Sequence, residues 1–227
     1  MYTRIVQYSV NVNYKMILTS QHEWQSDYPW FIKRIEGHNI LELGFMAHTF
    51  FTRILCEYGF NVTGVDFNEP DMSEWQFNKG EFSFVHSNVD GLPLENNLFS
   101  TIVAPSLLEH LGLGFYGDEP REKAWELALA EWFRVLKPNG VLLVQVPYGS
   151  QPRIIEFQGK PYYRIYTEDM IKEHFCNYSV DEIAYHSFEP HGWIEVSKSV
   201  ADHIDHTKPF TPCTAKLALR KLNLLPS

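Results

Sequence analysis

Read for its alternation of apolar and polar positions, the chain opens with a period of two. Between Val6 and Met16 the even positions (Val6, Tyr8, Val10, Val12, Tyr14, Met16) are apolar and the odd ones polar, the signature of a half-buried strand. An aromatic patch from Trp24 to Trp30 follows, and Asp27 to Glu36 reads as a short helix ending near Gly37. The pattern then becomes regular. Asn39 to Leu43 is a short apolar strand; Ala47 to Tyr58 places Phe50, Phe51, Ile54, Leu55 and Tyr58 on one helical face, and Gly59 ends it. Asn61 to Asp66, Phe82 to His86, Thr101 to Pro105 and Val141 to Val146 are further strands, the last almost wholly apolar and so expected to be buried on both faces.

Between the last two strands lies a helix whose start is marked by Asp118, Glu119 and Pro120. Its inner face carries Trp125, Ala128, Leu129, Trp132, Phe133 and Leu136, and Lys137-Pro138-Asn139-Gly140 stops it. After Pro147 a loop to Tyr163 precedes a helix from Thr167 to His174, a strand from Val180 to Phe188 and a last strand from Ala215 to Leu222. Strands alternating with amphipathic helices predict right-handed crossovers and a parallel sheet. At 227 residues one α/β domain is expected, covering 39–227, with 1–38 as an N-terminal extension of that same domain.

Composition narrows the partners. The net charge is −9 and no stretch concentrates Lys and Arg, which argues against a nucleic-acid track and against anionic membranes. No segment has the run of about 18 to 20 apolar residues that membrane insertion needs. Cys56, Cys176 and Cys213 are odd in number and widely spaced, as expected of reduced thiols in a cytoplasmic protein. The N-terminal strand offers an edge to a second copy, so monomer and homodimer are both open.

In a doubly wound sheet, ligands sit beyond the carboxyl ends of the strands. There Glu42-Leu43-Gly44 turns into a helix: Gly44 lets backbone approach a ligand, and Glu42 could bond a cationic amino-acid head. Asp66 ends the second strand and could accept both hydroxyls of a ribose, while His86-Ser87-Asn88-Val89-Asp90 offers polar groups for a purine edge. His110 and Glu109 follow the fourth strand as candidate bases. Asp202, His203, Asp205 and His206 have metal-like spacing, but no third cluster supports them and no metal is expected.

These residues carry a resemblance. ILELG, a helix-sized gap and GFNVTGVDFN, then SNVDGLPLENNLFSTIVAPSLLEHLG and FRVLKPNGVLLVQVP, resemble in order the motifs of class I S-adenosylmethionine (SAM)-dependent methyltransferases, from about Leu41 to Pro147. The segment EHLGLGFYGDEP is also similar to an uncharacterised methyltransferase-like family found beside glycan-biosynthesis functions. The resemblance implies a Rossmann-like doubly wound sheet, mostly parallel with an antiparallel last strand. It implies SAM as cofactor, held by Glu42, Gly44, Phe45, Met46, Asp66, Phe67, Asn88, Val89 and Pro105. One departure stands out: where the family loop reads E/D-x-G-x-G-x-G, Met46 and His48 occupy the second and third glycine positions.

The expected activity is methylation of a hydroxyl on a small molecule, sugar or glycan, with His110 as general base and Glu109 the next candidate through a water. Arg164, Tyr166 and Tyr148 are expected at the acceptor rim, Trp24, Tyr28 and Trp30 over the cofactor, and His191-Gly192-Trp193 near the acceptor. An N-methyltransferase would share the cofactor residues. A non-catalytic protein that kept the sheet and lost the glycine loop is the alternative from another class.

Overall fold

The computed structural model describes residues 22–71, 75–206 and 211–223. The alternating segment from Val6 to Met16 lies outside them. Helix α1 (Trp24–Ile32) leads into β1 (Asn39–Leu43), a 3-10 turn (Phe45–His48), α2 (Thr49–Tyr58), β2 (Asn61–Asp66), β3 (Phe82–His86) and β4 (Phe99–Pro105). After a second 3-10 turn (Leu108–His110) come α3 (Ala124–Val135), β5 (Leu136–Pro147), the hairpin β6 (Arg153–Phe157) and β7 (Lys160–Ile165), and α4 (Glu168–His174). The chain closes with β8 (Tyr178–Glu189), β9 (Gly192–Val196), α5 (Lys198–Ala201) and β10 (Cys213–Lys221).

Eight strands form one sheet in the order β3-β2-β1-β4-β5-β10-β8-β9. From β3 to β5 all neighbours run parallel, and β10 is inserted antiparallel to both β5 and β8. This is the Rossmann-like sheet with an antiparallel last strand. The order reverses between β1 and β4, so the crevice above their carboxyl ends is the place for a ligand.

Alternate residues of the central strands serve two cores, because successive side chains point to opposite faces. Leu41, Leu43, Ile102, Leu142 and Val144 pack with Trp132 and Val135 of α3 on one face. Ile40, Val62, Val103, Val141 and Leu143 pack with Tyr28, Phe31 and Phe51 on the other. The described part of the N-terminal extension thus belongs to the second core. Tyr28 and Trp30, expected over a cofactor, are buried in it, with the Tyr28 ring 4.5 Å from that of Phe51.

Several elements differ from the sequence expectation: α1 spans Trp24–Ile32 and not Asp27–Glu36, and β5 begins at Leu136, which was expected on the preceding helix, and not at Val141. Helix α3 begins at Ala124 and not near Pro120. Asp118 spends its carboxylate on the N–H groups of Gly112 and Gly114, and Lys123 has φ 61°, so this stretch folds as a loop. The hairpin β6–β7 was expected as loop; of Arg153–Phe157 only Ile155 is buried, so no alternation announces it. Its turn is Gln158-Gly159, both with positive φ. Strand β9 is an added edge in which Trp193 lies opposite Phe188 of β8, away from the switch point.

Candidate functional site

Four strand ends converge on one cavity of about 380 Å³, lined by Gly44 after β1, Asp66 closing β2, Asn88 and Val89 after β3, and Ser106 after β4. Met46, Phe67 and His110 complete the part of its wall that the sequence anticipated. Ser106, Leu107, Gly112, Tyr116, Asp118 and Arg121 also line it and were not anticipated. Of these, Ser106 is the most informative. It is a non-glycine residue with φ 45°, and its backbone N–H and hydroxyl both reach Oε1 of Gln145, at 3.0 and 2.5 Å. Such backbone strain is invisible in a sequence and concentrates where side chains must be aimed precisely enough for chemistry.

The turn after β1 resolves the irregular glycine loop. Gly44 has φ 67°, and a Cβ there would come within 3.1 Å of Leu107, so this position needs glycine. Phe45–His48 then form a right-handed 3-10 turn, a conformation open to Met46 and His48, so the two missing glycines are not required. The N–H of Met46 donates to Asp66 Oδ2 at 3.3 Å, and that of Asn68 donates to Oδ1 at 2.9 Å. Asp66 therefore ties the first and second strand ends together and keeps a lone pair on each oxygen for a ligand.

Phe45 itself leaves the site. Its ring is fully buried with Phe82, Phe84 and Trp75, above Gly64 of β2, where a Cβ would stand 2.8 Å from the ring. Glu42 is also absent from the cavity lining. It is buried against α2, with Thr52 donating to Oε2 at 2.7 Å and Oε1 unpartnered among the described residues. Pro105 closes β4 beside Ser106 without lining the cavity.

Burial raises the Glu42 carboxyl to about 8, against an ordinary value of 4.5, partly offset by the Thr52 bond. The fold thus favours its protonated form. This contribution is complete below about pH 4.5 and is lost as pH rises through about 8, a loss on the order of 1 kcal/mol per pH unit. His110, His174 and His186, each lowered to about 4 by burial, act in the opposite sense, but below pH 6.5. Thermal unfolding from pH 6.5 to 8.5 is therefore expected to show a falling melting temperature. Glu42→Gln should flatten that fall, and an equal slope in the variant would remove Glu42 as a cause.

His110 faces the cavity with a defined tautomer. Its Nδ1 lies 2.6 Å from the carbonyl oxygen of Tyr162. A carbonyl only accepts, so Nδ1 carries the proton and Nε2 carries the lone pair. Burial, with the Arg164 charge adding to it, lowers the imidazole to about 4, so the ring is neutral around pH 7. Nε2 has no hydrogen bond among the described residues; Glu109 Oε1 lies 3.8 Å away. Burial holds the Glu109 carboxyl well above the usual range, so it stands beside Nε2 as an acid and is poorly suited to act as a base.

The three residues expected at an acceptor rim are turned elsewhere. The Tyr148 hydroxyl donates to Asp202 Oδ1 at 2.7 Å. Tyr166 is fully buried, and its ring meets His174 edge-on. Arg164 donates to the carbonyl of Leu111 at 2.7 Å and to that of Glu109 at 3.4 Å. The residues with metal-like spacing have structural partners: Asp202 pairs with Lys198, His203 bonds the Ser199 carbonyl, and His206 bonds that of Tyr148.

The sheet order and the crevice at its switch point define a Rossmann-like α/β fold of the methyltransferase kind. Residues 41–144 match the family described as methyltransferase domain. A Burkholderia thailandensis 1,6-didemethyltoxoflavin-N1-methyltransferase, solved with 1,6-didemethyltoxoflavin and S-adenosylhomocysteine, shares the fold with a TM-score of 0.64. That match covers 97% of this chain and 87% of the other at 18% identity. A Mycolicibacterium smegmatis protein described as a "Probable S-adenosylmethionine-dependent methyltransferase" is 27% identical over 50% of this chain. An uncharacterised Haemophilus influenzae protein is 31% identical over 48%. The matches span 40% and 42% of those two relatives. Together these findings show the Rossmann-like fold of class I SAM-dependent methyltransferases, with the family likeness confined to residues 41–144.

Proposed function

We infer that this chain is a SAM-dependent methyltransferase whose acceptor is a hydroxyl of a small molecule, sugar or glycan, with His110 as general base. The observation that carries this reading is His110, held with its proton on Nδ1 and its lone pair on Nε2, in the wall of the same cavity as Gly44 and Asp66. The cavity suits the cofactor: Gly44 leaves a cradle that a Cβ would fill, and Asp66 presents a carboxylate able to take a ribose diol. Asn88 and Val89 line the same cavity and would read an adenine edge, and Met46 and Phe67 supply apolar wall.

When bound, SAM supplies a methyl group made electrophilic by its sulfonium. The protein aligns the acceptor with it, and alignment is a large share of the acceleration in such a displacement. A weak base suffices at His110, because an oxygen that is being alkylated becomes strongly acidic as its new bond forms. Burial keeps the imidazole free to receive that proton near neutral pH.

Calorimetry with SAM and with S-adenosylhomocysteine tests the reading, and absence of binding at millimolar concentration would sink it. Mass spectrometry of reactions with a labelled methyl donor identifies the acceptor. His110→Ala is expected to keep cofactor affinity within about twofold and lower turnover by about 100-fold or more. Undiminished turnover at saturating acceptor would reject His110 as the base.

A further inference from the structure

Strand β7 makes three bonds to the turn that carries His110, and all three bear on that one ring. The carbonyl of Tyr162 takes the proton of His110 Nδ1 at 2.6 Å. Two residues further on, Arg164 reaches the carbonyls of Leu111 and Glu109, the residues on either side of His110, at 2.7 and 3.4 Å. Arg164 has no carboxylate within ion-pair distance among the described residues, and its Nη1 makes both bonds to backbone carbonyls. The strand is itself anchored. It pairs with β6 along its length, and the chain just beyond it is tied to β5 where Tyr166 N–H donates to the Pro147 carbonyl at 2.8 Å.

We propose that Arg164 is a positioning residue: by clamping the backbone on both sides of His110 it holds the ring against the Tyr162 carbonyl, and so keeps the proton on Nδ1 and the lone pair on Nε2. An imidazole in water exchanges between its two tautomers, and the hydrogen bond made by one nitrogen decides what the other can do. The clamp also sets an acceptor class. A lone pair at Nε2 recognises a group that donates a hydrogen bond, an O–H or an N–H, and gives nothing to a tertiary amine or a thioether. That consequence rests on the methyltransferase reading; the placement of the proton does not.

The test is a long-range proton–nitrogen NMR correlation of His110 in uniformly nitrogen-15-labelled full-length protein at pH 7, with His110→Gln as the assignment control. In the wild type the expected pattern has a protonated Nδ1 and a pyridine-like Nε2. Arg164→Ala should move both nitrogens toward the average of two exchanging tautomers, and Arg164→Lys, which keeps one bond to a carbonyl, should fall between. Affinity for S-adenosylhomocysteine, measured by calorimetry on the same samples, should stay within about twofold, because Arg164 does not line the cavity. A wild-type His110 protonated on Nε2 overturns the proposal without any variant. So does a wild-type pattern in Arg164→Ala or, should that variant not fold, in Arg164→Lys. A wild type that shows the expected tautomer but binds neither SAM nor its demethylated product defeats the methyltransferase reading and leaves the clamp standing.

Discussion

Lys216→Met is expected to destabilise the fold by about 3 kcal/mol, the cost of leaving a buried carboxylate without its counter-charge. Lys216 of β10 and Asp27 of α1 are both fully buried, with Nζ 3.0 Å from Oδ1. Burial pushes the two groups in opposite directions, the carboxyl up to about 7 and the amine down, and each offsets part of the other's shift. With methionine at 216, Asp27 can remain only as a neutral acid, so the variant should lose further stability as pH rises above 7. A loss of 3 kcal/mol in a chain of 227 residues corresponds to a melting temperature lower by about 6 to 12 °C. Asp27→Asn combined with Lys216→Met should recover most of the loss, because replacing both charges removes the desolvation penalty along with the attraction. Urea titrations of the single and double variants provide the check. A single variant as stable as the wild type would mean that the pair contributes nothing to holding α1 on the sheet.

The second large effect is on cofactor affinity. Asp66→Ala removes the group expected to take a ribose diol and also the acceptor for the N–H groups of Met46 and Asn68, which shape the two adjoining strand ends. One charge-assisted contact and a loosened wall together correspond to about 2 to 3 kcal/mol, or about a 30- to 150-fold weaker Kd for S-adenosylhomocysteine. Asp66→Asn keeps one carbonyl acceptor and should lose less. Calorimetry on both variants separates the two contributions. Equal affinities in wild type and Asp66→Ala would remove Asp66 from the site, while equal losses in both variants would assign the whole effect to the charge.

The parts of the fold legible in the sequence are those fixed by local chemistry. Strands β1, β2 and β3 have the expected bounds, because each is a short apolar run closed by Gly, Asp or a polar turn. The β6–β7 hairpin was not legible, since it stands off the main sheet and buries Ile155, Tyr163 and Ile165 in a small cluster of its own. The start of α3 was misplaced because Asp118-Glu119-Pro120 has the composition of a helix start, while Asp118 bonds backward to two glycines. In the site, Gly44 and Asp66 could be read from their places at strand ends. The strain at Ser106 and the backbone bonds of Arg164 could not, for they depend on residues 39 and 53 positions away.

Phe45 offers a lesson about descent. Its ring fills the hollow left by the missing side chain of Gly64, 19 residues later, and Phe82 closes the same hollow from β3. A side chain at 64 has no room while Phe45 stands, and a small residue at 45 would leave a void over Gly64. The two positions are therefore expected to be coupled, so that homologues aligned on this loop should show them changing as a pair. That coupling ties the turn after β1 to the middle of β2, at a position of the loop that is not one of the two missing glycines.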